Sequence, residues 1–96
     1  MSPVNKKKLV SLRSKLDRLD NELLKLIKKR SILVNEVLKV KTYKNEIIDK
    51  KRINFILKKI KKKSIQLKID PKITNRIWKN MIWSYIDFEK RNFKKR

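Results

Sequence analysis

Ninety-six residues suffice for one small domain with a modest core, and a single domain over residues 1–96 is expected. The chain has no cysteine and no histidine, which excludes disulfides, thiolate or imidazole metal sites and His-based acid–base catalysis. Its net charge of +21 at pH 7 marks it as strongly cationic.

The excess of lysine (23) over arginine (7) qualifies that charge. Lysine, isoleucine and asparagine make up 44 of the 96 residues, while alanine and glycine are absent. These preferences track A/T-rich against G/C-rich codons, so lysine is read first as a composition bias at solvated positions. Binding of nucleic acid or of an acidic partner is the competing reading. Whatever its origin, such a field speeds the encounter with any small anion. The N-terminus lacks the apolar run of a signal peptide, and no stretch approaches the length of a membrane span. A cytoplasmic protein without a membrane partner is expected.

A first helix is predicted from Ser2-Pro3, an N-cap followed by proline at the first helical position, to about Lys41. Alternating steps of three and four along it read Leu9, Leu12, Leu16, Leu19, Leu23, Leu26, Arg30, Leu33, Val37 and Val40. Nine of these ten positions are aliphatic, the signature of a helix with a packed stripe. At 1.5 Å per residue, about 38 residues extend roughly 57 Å, whereas a compact monomer of this size has a radius of gyration of about 12 Å. Two shorter helices cannot cover such a seam, so a homodimer of long helices is favoured.

Thr42–Ile47 reads as a break. A second helix follows over about Asp49–Leu67 with Asp49 at its N-cap. A third opens with Asp70-Pro71 and runs to about Asn92. The last residues, Lys94, Lys95 and Arg96, are expected to fray. The fold class is all-α: a three-helix protomer with a very long first helix, in an intertwined homodimer.

Each helix carries a long polar side chain on an apolar row. Arg30 interrupts the first seam, and Lys41, eleven residues on, shares its face to within roughly 20°. Arg52 lies in the row Ile48, Arg52, Ile56, Ile60. Glu89 ends the row Ile73, Ile77, Met81, Tyr85, Glu89. Simpler readings exist for each. Arg30 can snorkel, Lys41 suits a helix C-terminus, Arg52 can pair with Asp49 at i−3, and Glu89 can be solvated near a helix end. Three interruptions of three rows weaken those readings taken together and favour an anion pocket inside a helical bundle. The run Lys58–Lys63 is read as a solvated face, and Trp78 and Trp83 as core or dimer contacts.

At this point the segment LRSKLDRLDNELLKLIKKRSILVNEVLKVK resembles the first helix of the all-α chorismate mutases. That family opens with LR-x-x-[IL]-D-x-[IL]-D, followed by L-x-x-R-x-x-L-V and a lysine eleven residues after the arginine. DKKR is similar to its D-x-x-R second-helix start, and IDPKI…IW…MIWSYIDFE to its third helix. The likeness covers about residues 9–91. It implies an intertwined homodimer with two sites acting on a small dicarboxylate, chorismate, without metal or other cofactor. By position, Arg30, Lys41 and Arg52 would contact the substrate from one protomer, and Arg13 would reach in from the other. Arg13 is about 100° around the helix from Arg30, which fits service to different sites. Asp49, Ile53 and Tyr85 also fall on substrate-binding positions, and Glu89 where the family places Gln or Glu near the ether oxygen.

The implied reaction, chorismate to prephenate, suits this set. A pericyclic step needs no nucleophile, proton transfer or metal. The protein must hold a flexible dianion in its reactive conformation and stabilise charge building on the ether oxygen. Arg13 and Arg30 suit the two carboxylates as forked donors, and Lys41 suits the ether oxygen. Glu89 assists only when protonated, so activity is expected to be greater at mildly acid pH. Two positions depart from the mutase pattern: Ile53 stands where the family generally has Glu, and Tyr85 where a small hydroxyl residue is expected. Both are closer to the related isochorismate pyruvate lyases, which form the alternative. A basic nucleic-acid-binding protein and a purely structural dimerisation module are the remaining readings, and neither gives Arg30 a role on the seam.

Overall fold

The computed structural model describes residues 2–94, apart from the side chains of Pro3 and Val4. The expected fraying of Lys95 and Arg96 therefore lies outside the described residues. Three helices form in the expected order: α1 (Pro3–Val40), α2 (Lys50–Gln66) and α3 (Pro71–Asn92), with no strand among the described residues.

Helix boundaries follow from caps. Ser2 Oγ accepts from the Asn5 N–H at 3.2 Å, and Pro3 takes the first helical position, where no N–H is needed. α1 stops at Val40, where the Lys41 N–H turns back to the Leu38 carbonyl. The break contains a 3₁₀ turn, Lys44–Glu46, whose Glu46 carboxylate accepts from the Tyr43 N–H at 3.0 Å. Asp49 caps α2 by accepting from the Arg52 N–H at 3.0 Å, and Asp70 caps α3 from Lys72 N–H at 2.9 Å with Pro71 following.

Between α2 and α3 the chain turns without glycine. The Ile69 N–H reaches the Ser64 carbonyl and the Lys68 N–H the Ile65 carbonyl, a Schellman closure that places Lys68 at φ 58°. Beneath this turn, Ser64 Oγ and Thr74 Oγ1 form a buried hydrogen bond of 2.7 Å that ties α2 to α3.

Contacts divide the chain into two compact units, Met1–Leu33 and Val34–Arg96, with the dividing point inside α1. In the second, Leu38, Ile47, Ile82 and Ile86 are buried, with Ile48, Ile53, Ile56, Leu57 and Phe93 packed on them. Each fully buried aliphatic side chain stabilises by about 1.5–3 kcal/mol. In the first unit the seam lies bare: Leu12, Leu16, Leu19, Leu23 and Leu26 are all more than half exposed.

The third-helix row does not lie on one side of the core. Ile73 and Ile77 are about half exposed (55% and 51%), while Glu89 is buried. An i+4 row drifts about 40° per step, so four steps carry it through roughly 160°, from the outer surface to the interior. The buried side of α3 comprises Thr74, Ile82, Ile86 and Glu89 instead. Trp83, expected as a core or dimer contact, is 52% exposed and stands outside the core.

Candidate functional site

Within the second unit the feature of chemical interest is a shielded charge pair. Lys41, the first residue beyond α1, directs Nζ to Glu89 Oε1 at 3.1 Å, and the two side chains are only 17% and 7% exposed. Local structure explains both placements. Ending α1 at Val40 releases Lys41 from the helix beside the buried Leu38, and Glu89 follows Ile82 and Ile86 at i+7 and i+3 on the core side of α3.

This pair differs from surface pairs such as Lys25–Glu22, Lys39–Glu36 and Arg91–Asp87, whose side chains are 60–72% exposed. Withdrawing two charges from water costs several kcal/mol, which their attraction offsets at best. Such a pair contributes little to net stability and is a strong candidate for chemistry.

Lys41 also lines an open depression with Glu46, Ile48, Asp49, Lys50 and Lys51. Its ammonium thus belongs to a half-shielded position between bulk solvent and the buried Glu89 carboxylate. Of its three lysines Lys41 is paired with Glu89, while Asp49 Oδ1 is engaged at the α2 N-cap and Glu46 Oε1 by the Tyr43 N–H, so Lys50 and Lys51 bring the further cations of the depression.

The other expected residues fall as follows. Asp49 joins Lys41 in the depression. Arg52, expected to point inward, is exposed, with its guanidinium carbon 5.3 Å from the Phe55 ring centroid, and Lys59 Nζ lies 5.9 Å from the same ring. The reason is the 40° drift again: Arg52 sits one step outside the inward arc of Ile53, Ile56 and Ile60. Ile53 is half-buried against the apolar core and offers no hydrogen-bonding group. Tyr85 is half-buried on α3. In the first unit Arg13 is exposed and Arg30 half-buried.

Sequence reasoning did not foresee that Glu89 has Lys41 as a direct partner, although both were expected near one ligand atom. Nor did it foresee the rim residues Glu46, Ile48, Lys50 and Lys51, or the Phe55 ring beneath Arg52. Only the Phe55 contact had a legible signal: the spacing Arg52, Phe55, Lys59 at i−3 and i+4. Among the described residues no cluster of acidic side chains could hold a metal ion, and no helix is long and apolar enough to cross a membrane.

Three helices, with a shielded lysine–carboxylate pair beside a polar depression, define a small all-α domain with one candidate site in its second unit. The match to the family model described as chorismate mutase type II, over residues 12–90, makes the assignment specific: the chain belongs to that family. No curated protein and no solved structure matches it.

Proposed function

We propose that the protein is a chorismate mutase acting in aromatic amino-acid biosynthesis in the cytoplasm, as a homodimer whose two sites draw on both chains. The family match supports the activity, and the Lys41–Glu89 pair is the observation that carries the mechanism. In the rearrangement the ether C–O bond breaks as a new C–C bond forms within one molecule. Nothing is transferred to or from the protein. Lys41 stabilises negative charge growing on the ether oxygen, and its shielding from water makes that interaction stronger than it would be in bulk solvent. Arg30 and Arg52, with Arg13 from the second chain, hold the two carboxylates and restrict the substrate to its reactive conformation. The dimer reading rests on the bare leucine seam of α1.

Glu89 accepts from Lys41 at 3.1 Å and so fixes the position of that ammonium, but its negative charge opposes the charge that develops on the ether oxygen. Glu89→Gln keeps a hydrogen-bonding side chain there without the charge and is expected to hold or raise kcat/KM. A fall of roughly tenfold or more in that variant would overturn this role for Glu89.

A second reading is favoured by one observation. Ile53 lies against the apolar core and cannot accept a hydrogen bond from a substrate ring hydroxyl. An isochorismate pyruvate lyase of the same fold would tolerate that. Supplying purified protein with chorismate and isochorismate in turn, while assaying prephenate, salicylate and pyruvate, decides between them. Prephenate from chorismate supports the mutase, salicylate plus pyruvate from isochorismate the lyase, and neither product ends the enzymatic reading.

A further inference from the structure

Outside the Lys41–Glu89 site, the most distinctive surface is the open groove between α2 and α3, lined by Leu57, Lys58, Lys61, Pro71, Lys72 and Asn75. Its floor is apolar and its walls are cationic. None of the six lining residues is acidic, and α2 carries eight lysine and arginine residues without a single carboxylate. The ammonium groups of Lys58, Lys61 and Lys72 take part in no ion pair among the described residues.

Codon bias accounts for abundant lysine, but it does not place a tryptophan in water. On α3, Lys72, Lys79 and Trp83 fall within about 40° of one another around the helix axis, so Trp83 continues the flank on which Lys72 lines the groove. A half-exposed indole, with Lys79 one turn before it and Asp87 one turn after, is the kind of residue that anchors an interface.

Of the other bare apolar positions of α3, Ile73 lies about 80° and Ile77 about 120° around the helix from Trp83.

We infer that the α2–α3 groove and Trp83 form a docking surface for an acidic amphipathic segment of a partner protein. Charge complementarity selects the occupant. Glutamates and aspartates would face Lys58, Lys61, Lys72 and Lys79, while apolar side chains of the same segment would cover Leu57, Pro71 and the indole. A second copy of this chain fits poorly: it brings a net +21 and no helix face dominated by carboxylates. A nucleic-acid strand fits less well than a peptide. It would gain phosphate contacts, but it would bury an apolar floor against its backbone with one ring available for stacking. This surface is independent of the proposed mutase activity and stands or falls separately from it.

The test is fluorescence titration of the full chain at physiological salt with a short peptide carrying glutamates and leucines at helical spacing. Single-stranded oligothymidylate and vesicles of mixed phosphatidylserine and phosphatidylcholine serve as competing polyanions. Peptide binding with a blue shift of tryptophan emission is expected, and the shift should vanish in Trp83→Phe. The triple variant Lys58→Glu, Lys61→Glu, Lys72→Glu should weaken peptide binding by roughly 10- to 100-fold while leaving turnover of chorismate unchanged. Equal weakening by Lys6→Glu, Lys7→Glu, Lys8→Glu would reduce the effect to the general field and overturn the proposal. So would tighter binding of the oligonucleotide or of the vesicles. A Lys61→Cys variant that is protected from thiol labelling in the free protein would assign the groove to a second copy and overturn it as well.

Discussion

The two halves of this chain treat their apolar residues in opposite ways. In Val34–Arg96, isoleucines and leucines from three helices and the connecting turn close over one another, and the shielded carboxylate of Glu89 finds a lysine. In Met1–Leu33 the apolar seam is longer, yet its leucines from Leu12 onward are bare. Regular periodicity therefore does not indicate how much a segment buries within its own chain. It indicates how much the segment must bury somewhere. The half with the longer seam is the one that leaves most of its leucines bare within its own chain.

Charge on the seam should break that contrast most severely. Leu16→Asp with Leu23→Asp is expected to abolish assembly, giving a monomer with much of the α1 helicity lost, because an isolated helix is marginal in water. Sedimentation equilibrium and far-ultraviolet circular dichroism measure this directly. Retained dimer in that variant would mean that the seam is not the interface.

Next in size are changes at the charged positions. Lys41→Met should lower kcat/KM by roughly 10²–10³, as for loss of one donor to a developing charge. It should also destabilise the fold by about 3–5 kcal/mol, since Glu89 would be left buried without its cation. Arg30→Leu separates the two halves of the problem. If Arg30 serves only structure, the substitution stabilises the dimer and spares activity; if it binds substrate, the chain is as stable or more so and turnover falls by about 10² or more. Thermal melts and steady-state kinetics on the same sample distinguish these outcomes. Mixing Arg13→Ala with Arg30→Ala protein adds a further check, because a heterodimer regains one intact site only if the two arginines serve it from different chains.

How much of this was legible in the sequence depends on the kind of signal. Helix ends were readable because caps are local chemistry: Ser2-Pro3, Asp49 and Asp70-Pro71 each announce a start within a few residues. The family match over residues 12–90 agrees with the motifs of the first helix. Orientation was less readable. A row at i+4 drifts around the helix, so Ile73 and Ile77 lie about half exposed while Glu89 at the same row's end is buried, and Arg52 is exposed with its guanidinium near the Phe55 ring. The Lys41–Glu89 contact spans 48 positions, and no local rule reaches that far.

The buried hydroxyl pair offers a smaller test confined to the ordered half. Ser64→Ala removes a hydroxyl that donates to the Ile60 carbonyl and accepts from Thr74 Oγ1, and should cost about 1–2 kcal/mol. A cost near zero would mean that Thr74 is satisfied through the Pro71 carbonyl, which it meets at 3.4 Å.

The smallest expected effect sharpens the comparison from the opposite direction, because it is a gain. Lys68 closes the Schellman turn between α2 and α3 at φ 58°, a region that costs a side-chain-bearing residue roughly 1–2 kcal/mol. Glycine occupies that region freely, although it also makes the unfolded chain more flexible and so returns part of the gain. Lys68→Gly should therefore stabilise the protein by about 0.5–1 kcal/mol, seen as a rise of a few degrees in Tm. Activity should be unaffected, because Lys68 lies far along the chain from Lys41 and outside the depression that Lys41 lines. The result also tests the explanation of the composition. A chain that has no glycine anywhere, even where the backbone calls for one, has been shaped by a bias that overrides local stability. If Lys68→Gly fails to stabilise, the lysine at this turn is retained for a contact of its own, and codon bias loses its clearest support.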